Sequence, residues 1–116
     1  MSKWIADEEF RCIPRKGKAF TLTARIGAPE LVRKNKTQAA YTRGAVSLEP
    51  LVSERGVGAE NAFQALCLSI DFVRTTLKVF VAEGGRVYWR ETENPVDLES
   101  PWFCPLPSLK ELRARR

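Results

Sequence analysis

The sequence predicts an α+β domain: an antiparallel sheet of about four strands, one long helix (about residues 59–83) packed across one face, and a Pro/Trp-rich C-terminal tail. Three observations predict it. Apolar and polar residues alternate in several stretches before position 50, the period-2 signature of half-buried strands. One long stretch after Gly58 carries its apolar residues at helical spacing instead. From Thr92 onward Pro95, Pro101, Pro105 and Pro107 enclose Trp102, Phe103 and Leu106, a composition that resists regular structure. The order strand, strand, strand, helix, strand, tail fits an antiparallel meander covered by a helix, and so small a sheet needs such a cover.

The elements follow in order. Trp4 to Ile13 splits into two interleaved sets and stops at Pro14, which predicts the first strand. Arg15-Lys16-Gly17-Lys18 is a polar turn, and in Ala19–Ile26 the residues Phe20, Leu22, Ala24 and Ile26 alternate with Thr21, Thr23 and Arg25, so the two strands read as a hairpin. Gly27-Ala28-Pro29 breaks the second strand, Arg33 to Gln38 is a charged loop, and a third strand is expected from Ala40 to Leu48, with Pro50 near its end. Gly56 and Gly58 lead into the helix, with Glu60 or Asn61 near the positive end of its dipole.

With Ile70 at zero and a step of about 100° per residue, Ala59, Ala62, Phe63, Leu66, Cys67, Val73, Leu77, Phe80 and Val81 form the expected core-facing stripe. Arg74 is the one charge inside that arc, expected to run its stem over the sheet edge with its head in water. Leu68, Phe72 and Val79 make a second, smaller apolar line almost opposite. Wet apolar surface is costly, so this line is expected under the Trp102-Phe103 tail; the competing reading is self-association or a partner interface. Glu83-Gly84-Gly85 stops the helix and Val87–Arg90 returns to the sheet. Ser108–Arg113 reads as one or two helical turns with Ser108 as cap. Residues 1–94 are thus read as one domain and 95–116 as an extended tail packing on it.

The chain's 116 residues suit a single domain, and 44% hydrophobic against 28% charged residues gives it a core. The content of His is zero, which removes Ser-His-Asp and Cys-His catalysis. Cys12, Cys67 and Cys104 are scattered without a C-x-x-C pair, so neither a zinc site nor a redox motif is expected and the thiols read as reduced. Neither G-x-x-x-x-G-K-[ST] nor G-x-G-x-x-G occurs. Asp7-Glu8-Glu9 and Glu91/Glu93 could supply an acid and a base only if folding joined them, and adjacent acids at strand ends are usually solvated. The expectation is no enzyme, no metal and no cofactor. The apolar run Ala62–Ala82 is interrupted by Gln64, Asp71, Arg74 and Lys78, so no membrane span is expected. The first residues lack the apolar core of a secretory signal, which predicts a soluble cytoplasmic protein.

Net charge is +5, and its distribution is uneven. Between Arg11 and Arg43 nine basic residues (Arg11, Arg15, Lys16, Lys18, Arg25, Arg33, Lys34, Lys36, Arg43) face one acid, Glu30, whereas residues 58–107 carry four basic residues against seven acids. Arg15, Lys16, Lys18, Arg33, Lys34 and Lys36 are therefore candidate contacts to a partner with an acidic face, with Trp102 and Phe103 as candidate apolar contacts. The leading expectation is a non-enzymatic protein-interaction domain, monomer or homodimer, most concretely an immunity protein or inhibitor that occludes a bacterial toxin. The alternative is a nucleic-acid-binding accessory protein using the same basic loops on phosphates; aromatic residues interleaved with those charges, which stacking on bases requires, are lacking apart from Phe20 and Tyr41.

Two segments carry a resemblance. Ala24-Arg25-Ile26-Gly27-Ala28-Pro29-Glu30, then Gly58-Ala59-Glu60-Asn61-Ala62-Phe63-Gln64-Ala65-Leu66 with Leu68, followed by a strand Trp, resemble a family of small bacterial domains of unknown function with V-R-I-G-x-P-E and G-x-D-x-x-Q-A-L-x-L-A motifs. Trp4-Ile5-Ala6-Asp7-Glu8 is similar to that family's first strand, and Asn61 stands where an acid is usual. The likeness covers about residues 4–89 and implies an architecture without a mechanism. Pro29 reads as a turn-setter, and Gln64 as a polar group for hydrogen-bonding the sheet or tail.

Overall fold

The computed structural model describes residues 3–33, 40–100 and 113–114. The strands are β1 (Trp4–Ile13), β2 (Phe20–Gly27), β3 (Glu30–Val32), β4 (Tyr41–Glu49), β5 (Val52–Ala59) and β6 (Arg86–Trp89), with one long helix, α1 (Ala62–Ala82), between β5 and β6. Every strand pair is antiparallel. The fold is α+β as expected, but the sheet has six strands rather than about four.

The two additional strands explain the sheet's layout. Thr23–Ile26 of β2 lie opposite Val46–Glu49, and Glu30–Val32 of β3 lie opposite Tyr41–Arg43. Since β5 takes the other edge of β4 along its whole length, β2 and β3 share one edge, and β3 continues β2 past the interruption at Ala28-Pro29. The order across the sheet is β5, β4, β2 with β3, β1, β6. β5 occupies the residues that were expected to lead into the helix, and the helix begins at Ala62 rather than 59. Only scattered positions of β5 are part-buried; an edge strand of this kind lacks the alternation that reveals a strand in sequence.

Alternation does place the sheet's inner face. Phe10 and Cys12 of β1, Leu22 and Ala24 of β2, and Val46 and Leu48 of β4 are buried together. Register sets Phe10 opposite Leu22 and Ala24 opposite Leu48, so the side chains meet across strands, where such pairs contribute ~0.2–1 kcal/mol each. Val73 and Leu77 of α1, Val87 of β6, and Val96 and Leu98 beyond it complete the core.

The helix starts on a capping arrangement. Asn61 is the N-cap, its side chain accepting from the Gln64 backbone N–H at 2.8 Å. The Gln64 side chain in turn accepts from the Glu60 N–H at 2.7 Å, so it serves the helix terminus rather than the sheet or tail.

Val73 and Leu77 of the expected stripe face the core and Phe80 packs against it, but α1 is rotated so that Ala65 and Ser69 rather than Phe63 and Val81 complete the contact. The fully covered positions are Ala65, Ser69, Val73 and Leu77, while Phe63 is 78% exposed and Val81 is exposed too. The reason is close approach at Gly44 of β4: a Cβ there would lie 2.8 Å from Ser69 Oγ and 3.3 Å from the Ala65 carbonyl oxygen. Small residues make the contact, so a reading weighted by large apolar side chains rotates the helix away from it. Ser69 is satisfied within the helix, its hydroxyl donating to the Ala65 carbonyl at 2.8 Å.

Beyond β6 the chain reverses and runs back beside it, with Trp89 N–H donating to the Asn94 carbonyl (3.1 Å) and Val96 N–H to the Val87 carbonyl (3.0 Å). It then reaches α1. The Arg74 guanidinium donates to the Leu98 carbonyl at 3.0 Å and to the Ser100 carbonyl, and Lys78 pairs with Glu99 at 3.5 Å. Arg74 therefore does not hold its head in water as expected; it clamps the backbone of residues 98–100. Trp102, Phe103 and the segment 108–112 lie outside the described residues. No described helix is long and apolar enough to cross a membrane.

Candidate functional site

The strand directions decide which charged loops meet. β1 and β4 run one way and β2, β3, β5 and β6 the other. The β1–β2 turn, the β4–β5 turn and the C-terminus of α1 therefore share one end of the sheet. The end of β3, the start of β4 and the N-terminus of α1 share the opposite end.

Arg15, Lys16 and Lys18, all exposed, sit in the β1–β2 turn at the first end. Arg33, also exposed, follows β3 at the second. With a rise of ~3.3 Å per residue, β2 and β3 hold Arg33 tens of ångströms from Arg15, Lys16 and Lys18, so Arg33 does not share a patch with them. Lys34 and Lys36 lie outside the described residues. Two further basic residues of the same sequence stretch are engaged in the sheet. Arg11 stacks over Tyr88 at 4.7 Å and donates to the Thr92 carbonyl at 3.2 Å, while Arg43 lies against Gly56.

The first end combines charge with apolar surface. Gly84, at φ +98°, ends α1 in the left-handed region that glycine tolerates best. A Cβ on it would lie 2.9 Å from Arg15 Cδ, so the basic turn rests against the helix C-terminus, where positive charge is favoured. Gly84 N–H donates to the Val81 carbonyl and Gly85 N–H to the Phe80 carbonyl, both at 3.0 Å. Phe80 meets Phe20 of β2 edge to face at 5.9 Å.

At the same end of the sheet an open groove of about 280 Å³ runs between α1 and the start of β5, walled by Leu51, Val52, Phe72, Val79, Phe80 and Glu83. Two of the three residues expected to form a second apolar line thus share this groove. Phe72 is half-buried and Val79 is 52% exposed, while Leu68, earlier on the helix, is 39% exposed. Leu51 was not singled out from sequence; a lone Leu after a proline carries no pattern, and its role depends on the β4–β5 turn lying next to α1.

Among the described residues no group of three or more Cys, Asp or Glu side chains is arranged to hold a metal ion. Glu9 pairs with Arg90 at 3.0 Å and Arg90 also reaches Glu91 at 3.6 Å, so these acids are tied into ion pairs on the sheet. Cys12 is buried, and burial pushes its thiol from 9.0 up to about 11, the opposite of what an activated nucleophile needs. Comparison with family models, curated proteins and solved structures finds no match.

Proposed function

We propose that the chain is a non-enzymatic protein-interaction domain that binds and occludes a protein partner through the end of the sheet where the β1–β2 turn meets the C-terminus of α1. An immunity protein or inhibitor directed at a bacterial toxin is the most concrete form of this reading. The observation that carries it is that exposed Arg15, Lys16 and Lys18 share one end of the sheet with the apolar groove of Leu51, Phe72 and Val79, Arg15 lying against Gly84 at the end of the helix that walls it. An apolar centre with a charged rim is how protein interfaces are built, and the rim's sign selects a partner with an acidic face and accelerates encounter.

The alternative use, phosphate contacts to a nucleic acid, would draw on the same exposed Arg15, Lys16 and Lys18 and, at the opposite end of the sheet, on Arg33. The two readings separate in a pull-down from lysate of the source bacterium at low and moderate salt, with and without nuclease. The interaction reading expects one protein retained after nuclease and at moderate salt. Retention only of nucleic acid, lost as salt rises, would overturn it.

A further inference from the structure

β5 begins at the end of the sheet assigned above and forms one margin of the sheet. It runs for eight residues without a proline and, among the described strands, pairs with β4 alone, so the backbone groups on its far side have no described strand to bond. The flank of α1 stands beside that edge. Phe72 and Val79 face Leu51 and Val52 across the groove, and exposed Leu68 lies on the same line one turn before Phe72. Register shows which β5 side chains turn toward the helix, because cross-strand partners share a face. Val57 lies opposite Gly44, Arg55 opposite Val46 and, past a register shift, Val52 opposite Leu48. Those β4 positions are buried or meet α1. Val52, Arg55 and Val57 therefore lie on the helix side, and Arg55 is an exposed charge between two apolar residues.

We infer that β5 is the acceptor edge for an extended segment of the protein partner, which adds to the sheet as a further strand and carries apolar, acidic and apolar side chains in turn on its helix-facing side. This rests on the protein-partner reading and names the shape and chemistry of what docks. The edge sets the shape, since a row of alternating N–H and C=O groups is matched by another extended backbone. The flank of α1 sets the apolar positions: side chains on one face of a strand recur every ~6.6 Å, and Leu68 and Phe72 lie ~6 Å apart along the helix. Arg55 sets the acid, because opposite charges facing each other across strands attract and like charges repel. The same residue argues against a second copy as occupant. Two-fold pairing of β5 with itself sets opposite each other residues an even number apart, and the two registers of greatest overlap place Arg55 opposite Arg55 or Gly56 opposite Gly56. The first is repulsive and the second has no side chains to pair. An inward-pointing charge guards an edge strand against such pairing, and a partner that carries an acid turns the guard into selection. An acidic partner of this kind also suits Arg15, Lys16 and Lys18 at the same end of the sheet.

The test uses the isotope-labelled full chain and two short synthetic peptides, threonine alternating with valine, glutamate and valine in one and with valine, lysine and valine in the other. The glutamate peptide should shift the amide resonances of residues 55–59 and the methyl resonances of Leu68 and Val79. It should bind several-fold more tightly than the lysine peptide and lose binding when its amide nitrogens facing β5 are methylated. Arg55→Glu, at an exposed position, should reverse the preference with the circular dichroism unchanged. A glutamate peptide that leaves β5 unperturbed at about 1 mM, equal affinity for the two peptides, an unchanged preference in Arg55→Glu, or a wild-type dimer that occupies β5 would each overturn the inference. Such a failure leaves the basic-turn surface standing, whereas a pull-down that retains nucleic acid alone removes the protein-partner reading itself, so the two failures are distinguishable.

Discussion

Replacing Gly44 by Ala probes the contact on which the placement of α1 depends. The new methyl would lie 2.8 Å from Ser69 Oγ and 3.3 Å from the Ala65 carbonyl oxygen, inside van der Waals distance of both. Either α1 lifts from β4 by a few tenths of an ångström, or Ser69 rotates and gives up its 2.8 Å hydrogen bond to Ala65. Overpacking of this kind costs ~1–3 kcal/mol, and a buried hydroxyl without its bond costs a comparable amount. Against this, Ala restricts the unfolded chain more than Gly does, which returns ~0.4–1 kcal/mol. The net expectation is a loss of ~1–2 kcal/mol, which lowers the urea midpoint by roughly 0.5–1 M at m-values usual for small domains. Gly58 is the internal control, since a methyl there meets nothing within 4 Å; Gly58→Ala should leave stability unchanged or raise it by up to ~1 kcal/mol. A Gly44→Ala protein as stable as the wild type would refute the close approach of helix and sheet.

Three further expectations concern local supports. Asn61→Ala removes the acceptor for the Gln64 N–H and should cost ~1 kcal/mol in urea unfolding, with amide exchange accelerated first at Gln64. Arg74→Met keeps the apolar stem but loses the bonds to the Leu98 and Ser100 carbonyls; hydrogen exchange should show residues 96–100 losing protection while β4 keeps it. For Cys12, the folded thiol holds its proton up to about 11 while the unfolded one releases it near 9.0. The unfolded state therefore binds fewer protons above pH 9, and by linkage stability should fall between pH 9 and 11, by up to ~2–3 kcal/mol. That drop should be missing from the difference curve of a Cys12→Ala variant, and its persistence there would assign it to other groups.

The fold was legible where burial follows a simple period. β1, β2 and β4 were readable because their inner residues alternate, and α1 because Asn61, the apolar spacing and Gly84 bracket it. β5 was hidden because an edge strand with exposed Ser53, Glu54 and Arg55 has no buried face to report, and β3 because three residues are too few to show a period. Val73 and Leu77 were legible as core positions, but the helix's rotation was not, because Gly44, Ala65 and Ser69 define the contact and small residues carry little hydrophobic signal. Arg74 gave no hint of its partners, since backbone carbonyls of a later segment have no sequence signature. In the candidate site the charges were visible and their grouping was not. Arg33 is near Lys18 in the chain, yet β2 and β3 carry it to the far end of the sheet, whereas Leu51 and Val79, 28 positions apart, become neighbours.

The central claim is that one end of this sheet is the docking surface. Once a retained partner protein has been purified, its affinity should be measured for wild type, Lys16→Glu/Lys18→Glu, Val79→Asp and Arg33→Glu, the last reversing a charge at the opposite end. The account predicts a loss of tenfold or more, at least ~1.4 kcal/mol, for the first two variants and an unchanged affinity for Arg33→Glu. Equal weakening by Arg33→Glu, or full affinity with both turn lysines reversed, would contradict it.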